Sequence, residues 1–237
     1  MKRVEHLMGT TISLDVPGAP DALGDDLVAW FREVDDRFST YKSDSEVSTY
    51  AGAPSPLMKE VLDRCATLWT QTSGYFDIHA TGALDPSGFV KGWSVQVASD
   101  RLLAAGYGDH CVNAGGDICV RGRSASGAPW RIGVRHPWIE DQLCCVITGT
   151  DLAVATSGVY ERGHHVVDPF TAKPPSGLRS VTVVGPDLGD ADAYATAALA
   201  MGTAGLAWLG TLSGYESAVV TDDRRLFHSP GLPLADG

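Results

Sequence analysis

The spacing of apolar residues changes character near residue 106, and that change limits the chain to one class of fold. Before it, apolar residues recur at helical intervals. In 21–38, Leu23, Leu27, Trp30, Phe31, Val34 and Phe38 form one stripe with acidic residues opposite, which predicts a helix. A second helix is expected over 55–72, opening near Pro56 and ending before Ser73 and Gly74. A third is expected over 90–105, with Gly106 as its stop. After that the apolar runs are short and separated by turn formers. Strands are expected over 111–122, 130–135, 143–148, 152–156, 164–167 and 180–184, the first two joined as a hairpin by "GRSASGAP". Residues 6–16 read as an opening strand. A helix follows 186, then a short helix near 206–212 and strands near 217–221 and 225–227. The end, "SPGLPLADG", is expected to fray. The fold class is therefore α+β, with largely antiparallel sheets and flanking helices. At 237 residues the expectation is a single domain over 1–237, built as one unit or as two intimately packed halves.

Composition narrows the function. Hydrophobic residues make up 44% and charged residues 20%, as in ordinary globular proteins. The net charge of −11 and the lack of a basic cluster argue against a nucleic-acid partner. No apolar run is long enough to span a membrane. Two basic residues open the sequence without an apolar segment behind them, so no secretory signal is read and a cytoplasmic location is expected. Five cysteines at irregular spacing, with no CxxC pair, favour free thiols over zinc or a disulfide framework.

Several short stretches hold residues suited to chemistry. In "NAGGDI" (113–118) two glycines interrupt a β-rich segment, which fits either a backbone approached by a ligand or a bulge. It is neither GxGxxG nor a P-loop. "LDPSGFVKGWSV" (84–95) feeds a helix with Lys91 in its expected first turn, where an anion would offset an otherwise unfavourable charge. "ATSGVYERGHHVVDP" (155–169) gathers Ser157, Gly158, His164, His165 and Asp168. No GxSxG or HExxH motif accompanies them, which weakens serine-hydrolase and zinc-hydrolase readings. In "PDLGDADAYATAALAMG" (186–202), Asp187 and Asp190 are candidates to cap a helix. Asp192 and Thr196 then share a face one turn apart. They offer two hard oxygen ligands, better matched to Mg²⁺ than to zinc, although capping alone would also explain the aspartates.

The order of these stretches resembles the ApbE family of FAD:protein FMN transferases. The pieces are "MGT" (8–10), "FSTYKSDSEVS" (38–48), "GYFDI" (74–78), "LDPSGFVKG" (84–92), "NAGGDI", "ATSGVY" (155–160), "HVVDP" (165–169) and "DADAYATA" (190–197). The resemblance implies an ApbE-like fold and Mg²⁺-dependent transfer of FMN from FAD to a threonine or serine of an acceptor flavoprotein, with AMP leaving. It further implies Asp192, Thr196 and the Val90 carbonyl as metal ligands. Met8, Tyr41, Asp77, Asp85, Lys91, Gly115, Gly116 and Asp117 would contact FAD. Ser157, Gly158, His165 and Asp168 would lie near the pyrophosphate or the acceptor. A histidine has a suitable pKa for a general base, so His165 is expected in that role, with Asp168 orienting it or replacing it. Two departures stand out. The segment 79–83 is much shorter than in many relatives, which puts one wall of the flavin pocket in question, and exported relatives commonly carry a leader. FAD hydrolysis to FMN and AMP, and FAD binding without catalysis, are the alternatives.

Overall fold

The computed structural model describes residues 1–159 and 166–235. Its elements in chain order are β1 (Lys2–Leu7), β2 (Thr10–Asp15), α1 (Asp21–Phe38), α2 (Pro56–Gln71), α3 (Ser87–Ala104), β3 (His110–Ala114), β4 (Asp117–Arg121), β5 (Trp130–Arg135), β6 (Leu143–Gly149), β7 (Leu152–Gly158), β8 (Leu178–Gly185), α4 (Leu188–Ala200), α5 (Ala204–Leu209), β9 (Glu216–Thr221) and β10 (Leu226–His228). Eight strands form one sheet in the order β1-β2-β3-β4-β7-β8-β9-β10, and β5 and β6 form a second. Every pairing between these strands is antiparallel. The α+β expectation holds.

Two expected strands are hairpins. The stretch 6–16 breaks at Met8 and Gly9, both at positive φ (55° and 67°), and folds β2 back onto β1. The stretch 111–122 breaks at Gly115 and Gly116, with φ of 60° and 101°, and β4 returns along β3. Two successive positive-φ residues match the right-handed twist of a two-residue hairpin, which glycine allows without strain. The Asn113 side chain closes the second turn by accepting from Gly116 N at 2.9 Å. The expected hairpin through "GRSASGAP" does not form, because β4 pairs with β7 whereas β5 pairs with β6.

The main core lies between the large sheet and the helices. Trp30, Phe31 and Val34 of α1, Leu68 of α2 and Val95 of α3 meet Ile12, Val112 and Val181 there. Helix α4 is buried on nearly every face, as its apolar Ala-rich sequence requires. It packs against α3 and against β7 and β8. A smaller core joins Val120, Val154, Val184 and Ala218 of the large sheet to Ile132, Val134 and Ile147 of the small one. The end of the chain completes it and is not frayed through residue 235. Leu232 is buried, Leu234 bridges to Ile147, and Ala235 N donates to Val146 O at 2.8 Å.

Candidate active site

The turns between β1 and β2 and between β3 and β4 lie at the same end of the sheet, since Ile12 pairs with Ala114 and Gly115 N donates to Thr11 O. Helices α3 and α4 cross beside that end. Their approach is set by small residues. A Cβ on Gly92 would collide with the Leu188 carbonyl and come within 2.8 Å of Asp192 Cβ. One turn earlier, Gly88 faces the Thr196 hydroxyl. The close approach lets Gly92 N donate to Asp192 Oδ2 at 3.0 Å, inside the protein.

Asp192 is 2% exposed and Asp117, at the start of β4, is fully buried. Burial pushes the Asp192 carboxyl well above the usual carboxylate range. The Asp117 charge pushes the same way, and Lys91 and the Gly92 N–H offset part of the rise. Lys91 Nζ lies 2.5 Å from Asp117 Oδ2, an oxygen with no aligned hydrogen-bond donor among the described residues, while Thr156 N donates to Oδ1 at 3.3 Å. Asp117 therefore supplies the anion that Lys91 was expected to need. Helix α3 also begins three residues earlier than expected, at Ser87, whose N–H donates to Asp85 Oδ1 at 3.0 Å. One turn along α4 from Asp192, the Thr196 hydroxyl shares a hydrogen bond of 3.1 Å with the Ser157 hydroxyl.

Three cavities meet at Lys91. The first, about 90 Å³, is lined by Asp77, Asp85, Lys91, Ser157, Asp192 and Thr196, and part of the short segment 79–83 forms its wall. The second includes Met8, Tyr41, Val90 and Lys91, with Tyr41 92% exposed at its rim. The third, about 830 Å³, runs past Gly115, Gly116, Lys91 and Thr156 to Gly133 and Arg135 of β5. The residues expected at a site thus fall around one junction, with three exceptions. Gly158 is buried at the end of β7. Asp168 accepts from Phe170 N at 2.9 Å and Thr171 Oγ1 at 2.8 Å, so its carboxylate holds its own turn. His165 lies outside the described residues.

Sequence reasoning missed two contributions. Thr156 lines two of the cavities and orients Asp117. Gly88 and Gly92, one helical turn apart opposite Thr196 and Asp192, set the helix spacing. Their i, i+4 placement was the available signal. Among the three aspartates near α4, Asp187 caps the helix by accepting from Asp190 N at 2.9 Å. Asp190 does not cap; it binds Arg64 of α2, whose Nε donates to Oδ1 at 2.9 Å.

Known proteins share this fold and parts of this sequence. The chain is similar to the FAD:protein FMN transferase of Vibrio cholerae, 35% identical over 129 residues that cover 50% of this chain and 39% of the relative. It is also similar to that of Rhodobacter capsulatus, 31% identical over 219 residues, 88% of this chain and 40% of the relative. The chain thus spans about two fifths of the length of these curated relatives. Among solved structures, the flavin transferase ApbE from Vibrio cholerae superposes with a TM-score of 0.83 at 24% identity over 97% of both chains. The ApbE protein of Thermotoga maritima gives 0.84 at 20% identity, also over 97% of both. The model of the ApbE family matches residues 8–83 and 79–219, two pieces that meet in the short segment beside the first cavity. With most of its length inside that match and its motif residues gathered around one junction, the chain belongs to the ApbE family.

Proposed function

We propose that this protein transfers the FMN moiety of FAD to a threonine or serine hydroxyl of an acceptor flavoprotein and releases AMP. The observation that carries the reading is the junction itself. Two buried carboxylates, Asp117 and Asp192, and two hydroxyls, Thr196 and Ser157, surround Lys91 where three cavities meet. Family membership and the relatives' activity support it.

The residues fit a hard divalent cation. Asp192 is too deeply buried beside a second carboxylate to ionise readily unless a positive charge compensates it. The donors are oxygens, the set that suits Mg²⁺. Asp192 and Thr196 would hold the ion, with the Val90 carbonyl as a third ligand drawn from the family resemblance. A bound Mg²⁺ supplies electrophilic stabilisation of the pyrophosphate and of charge developing on the leaving AMP.

The chain's own residues do the rest. Lys91 is held by Asp117 at the junction and presents a cation to the phosphates. Ser157 fixes the Thr196 hydroxyl. The acceptor hydroxyl attacks the FMN phosphorus; the new O–P bond replaces the bond to the AMP phosphate, and the hydroxyl proton passes to a base. His165 is the proposed base, and Asp168 keeps the turn that follows it in place.

Incubation with FAD and Mg²⁺, with and without an acceptor flavoprotein, tests the reading. A mass gain of one FMN on the acceptor is expected. Free FMN without that gain would identify a hydrolase, and neither product would leave only a binding protein. In single-turnover transfer, His165→Ala should slow the reaction by on the order of 10²-fold or more with FAD binding retained. Unchanged transfer would remove His165 from the mechanism.

A further inference from the structure

The third cavity leads away from the junction to the second half of β5, where Gly133, Val134 and Arg135 line it. This strand pairs only with β6, so among the described residues its other edge carries no strand. Its exposed positions alternate as Arg131, Gly133 and Arg135, with Ile132 and Val134 buried beneath. Gly133 and Arg135 line the cavity opposite Gly115 and Gly116. The charge here differs from that of the rest of the chain. In a protein of net charge −11, residues 121–135 hold four arginines and no aspartate or glutamate. Among the described residues, none of the four is in an ion pair. The carboxylates of Asp109 and Asp151 are taken up by the backbone N–H groups of Arg123 and Gly122. Glu140 and Asp141 stand in the turn between β5 and β6, outside the lining of the cavity.

We propose that the free edge of β5 docks the acceptor polypeptide as an extended acidic segment, with Arg131 and Arg135 facing its carboxylates and its hydroxyl residue reaching the Lys91 end of the groove. An exposed strand edge offers main-chain hydrogen bonds to an added strand, and side chains flanking it choose the partner. The pairing of positive groove with negative segment supplies orientation and selectivity. The proposal rests on the flavin-transfer reading for the identity of the docked chain.

The test uses three rhodamine-labelled twelve-residue peptides with one central threonine, flanked by Asp and Glu, by Gln, or by Lys. Their binding to the FAD- and Mg²⁺-loaded protein is read by anisotropy, and FMN attachment by mass. The acidic peptide should bind at least ~10-fold tighter than the lysine peptide, with an affinity that falls as salt rises. Arg131→Glu with Arg135→Glu should abolish or invert that preference while flavin fluorescence shows FAD binding unchanged. Equal binding of the three peptides, or an acidic preference that survives the charge reversal, overturns the docking site. The two readings fail separately. Arginine-dependent acidic binding with no FMN on any peptide or protein acceptor would sink transfer and keep the docking surface. FMN attached equally to acidic and lysine peptides would do the reverse.

Discussion

Asp192 shows how much one carboxylate can carry. Its folded pKa is raised, first by burial and then by Asp117, so in the metal-free protein the folded state binds its proton more tightly than the unfolded chain does. The sign follows from linkage: the favourable contribution is complete below the unfolded value of about 3.9 and is lost as pH rises through the folded value. Metal-free protein should therefore lose stability across that window, and saturating Mg²⁺ should offset the loss. Asp192→Asn keeps an acceptor for Gly92 N and removes the charge. It should flatten this pH dependence, leave the fold at least as stable at neutral pH, and lower Mg²⁺-dependent turnover by on the order of 10²-fold. Chemical denaturation from pH 4 to 8 checks the first claim; an unchanged slope would mean that Asp192 is not the titrating group. Gly92 invites the opposite experiment. A methyl there meets the Leu188 backbone, which cannot swing aside, so Gly92→Ala should cost about 1–3 kcal/mol. A neutral outcome in urea unfolding would show that α3 and α4 are not so tightly apposed.

Elements were legible where local chemistry agreed with packing. Helix α1 runs over 21–38 as read, ending with its apolar stripe at Phe38. Helix α2 is framed by Ser55, which accepts from Met58 N, and by Pro56. The two missed hairpins had apolar alternation running up to the turn, and at Met8 a non-glycine residue takes the positive φ. The site was legible as an ordered set of motifs. The contact between Asp117 and Asp192 was not, because it depends on where β4 and α4 meet. The chain's end was misread for a similar reason: its Pro and Gly suggest looseness, but the unpaired edge of β6 gives its backbone partners. Thr148 N donates to Pro233 O at 2.8 Å, and Leu232 packs into the smaller core. Removing residues 230–237 should strip the Thr148 amide of protection in hydrogen exchange while the amides of α4 keep theirs. Equal protection of Thr148 in the truncated chain would show that this segment is not a working part of the small sheet.

Across the whole molecule, the junction ties three elements together. Lys91 comes from α3, Asp117 from the large sheet and Asp192 from α4, and the three cavities converge where they meet. If the proposed metal site is right, its occupancy and the stability of the fold are linked, because the same charges would serve both. Lys91 is 15% exposed at its side chain and Asp117 not at all, so their ion pair is shielded from water. Lys91→Met leaves two buried carboxylates without that cation, a change that costs about 3–5 kcal/mol when a buried pair is broken. A divalent cation held by Asp192 would replace part of the missing charge, and a ligand bound only by the folded state stabilises it by mass action. The variant should therefore melt well below the parent protein in EDTA and gain more from saturating Mg²⁺ than the parent does. Calorimetry of both proteins, with and without the metal, compares the two shifts. If Mg²⁺ raises both melting temperatures equally, the cation does not share the charge set of Lys91, and its ligands must be sought away from Asp192.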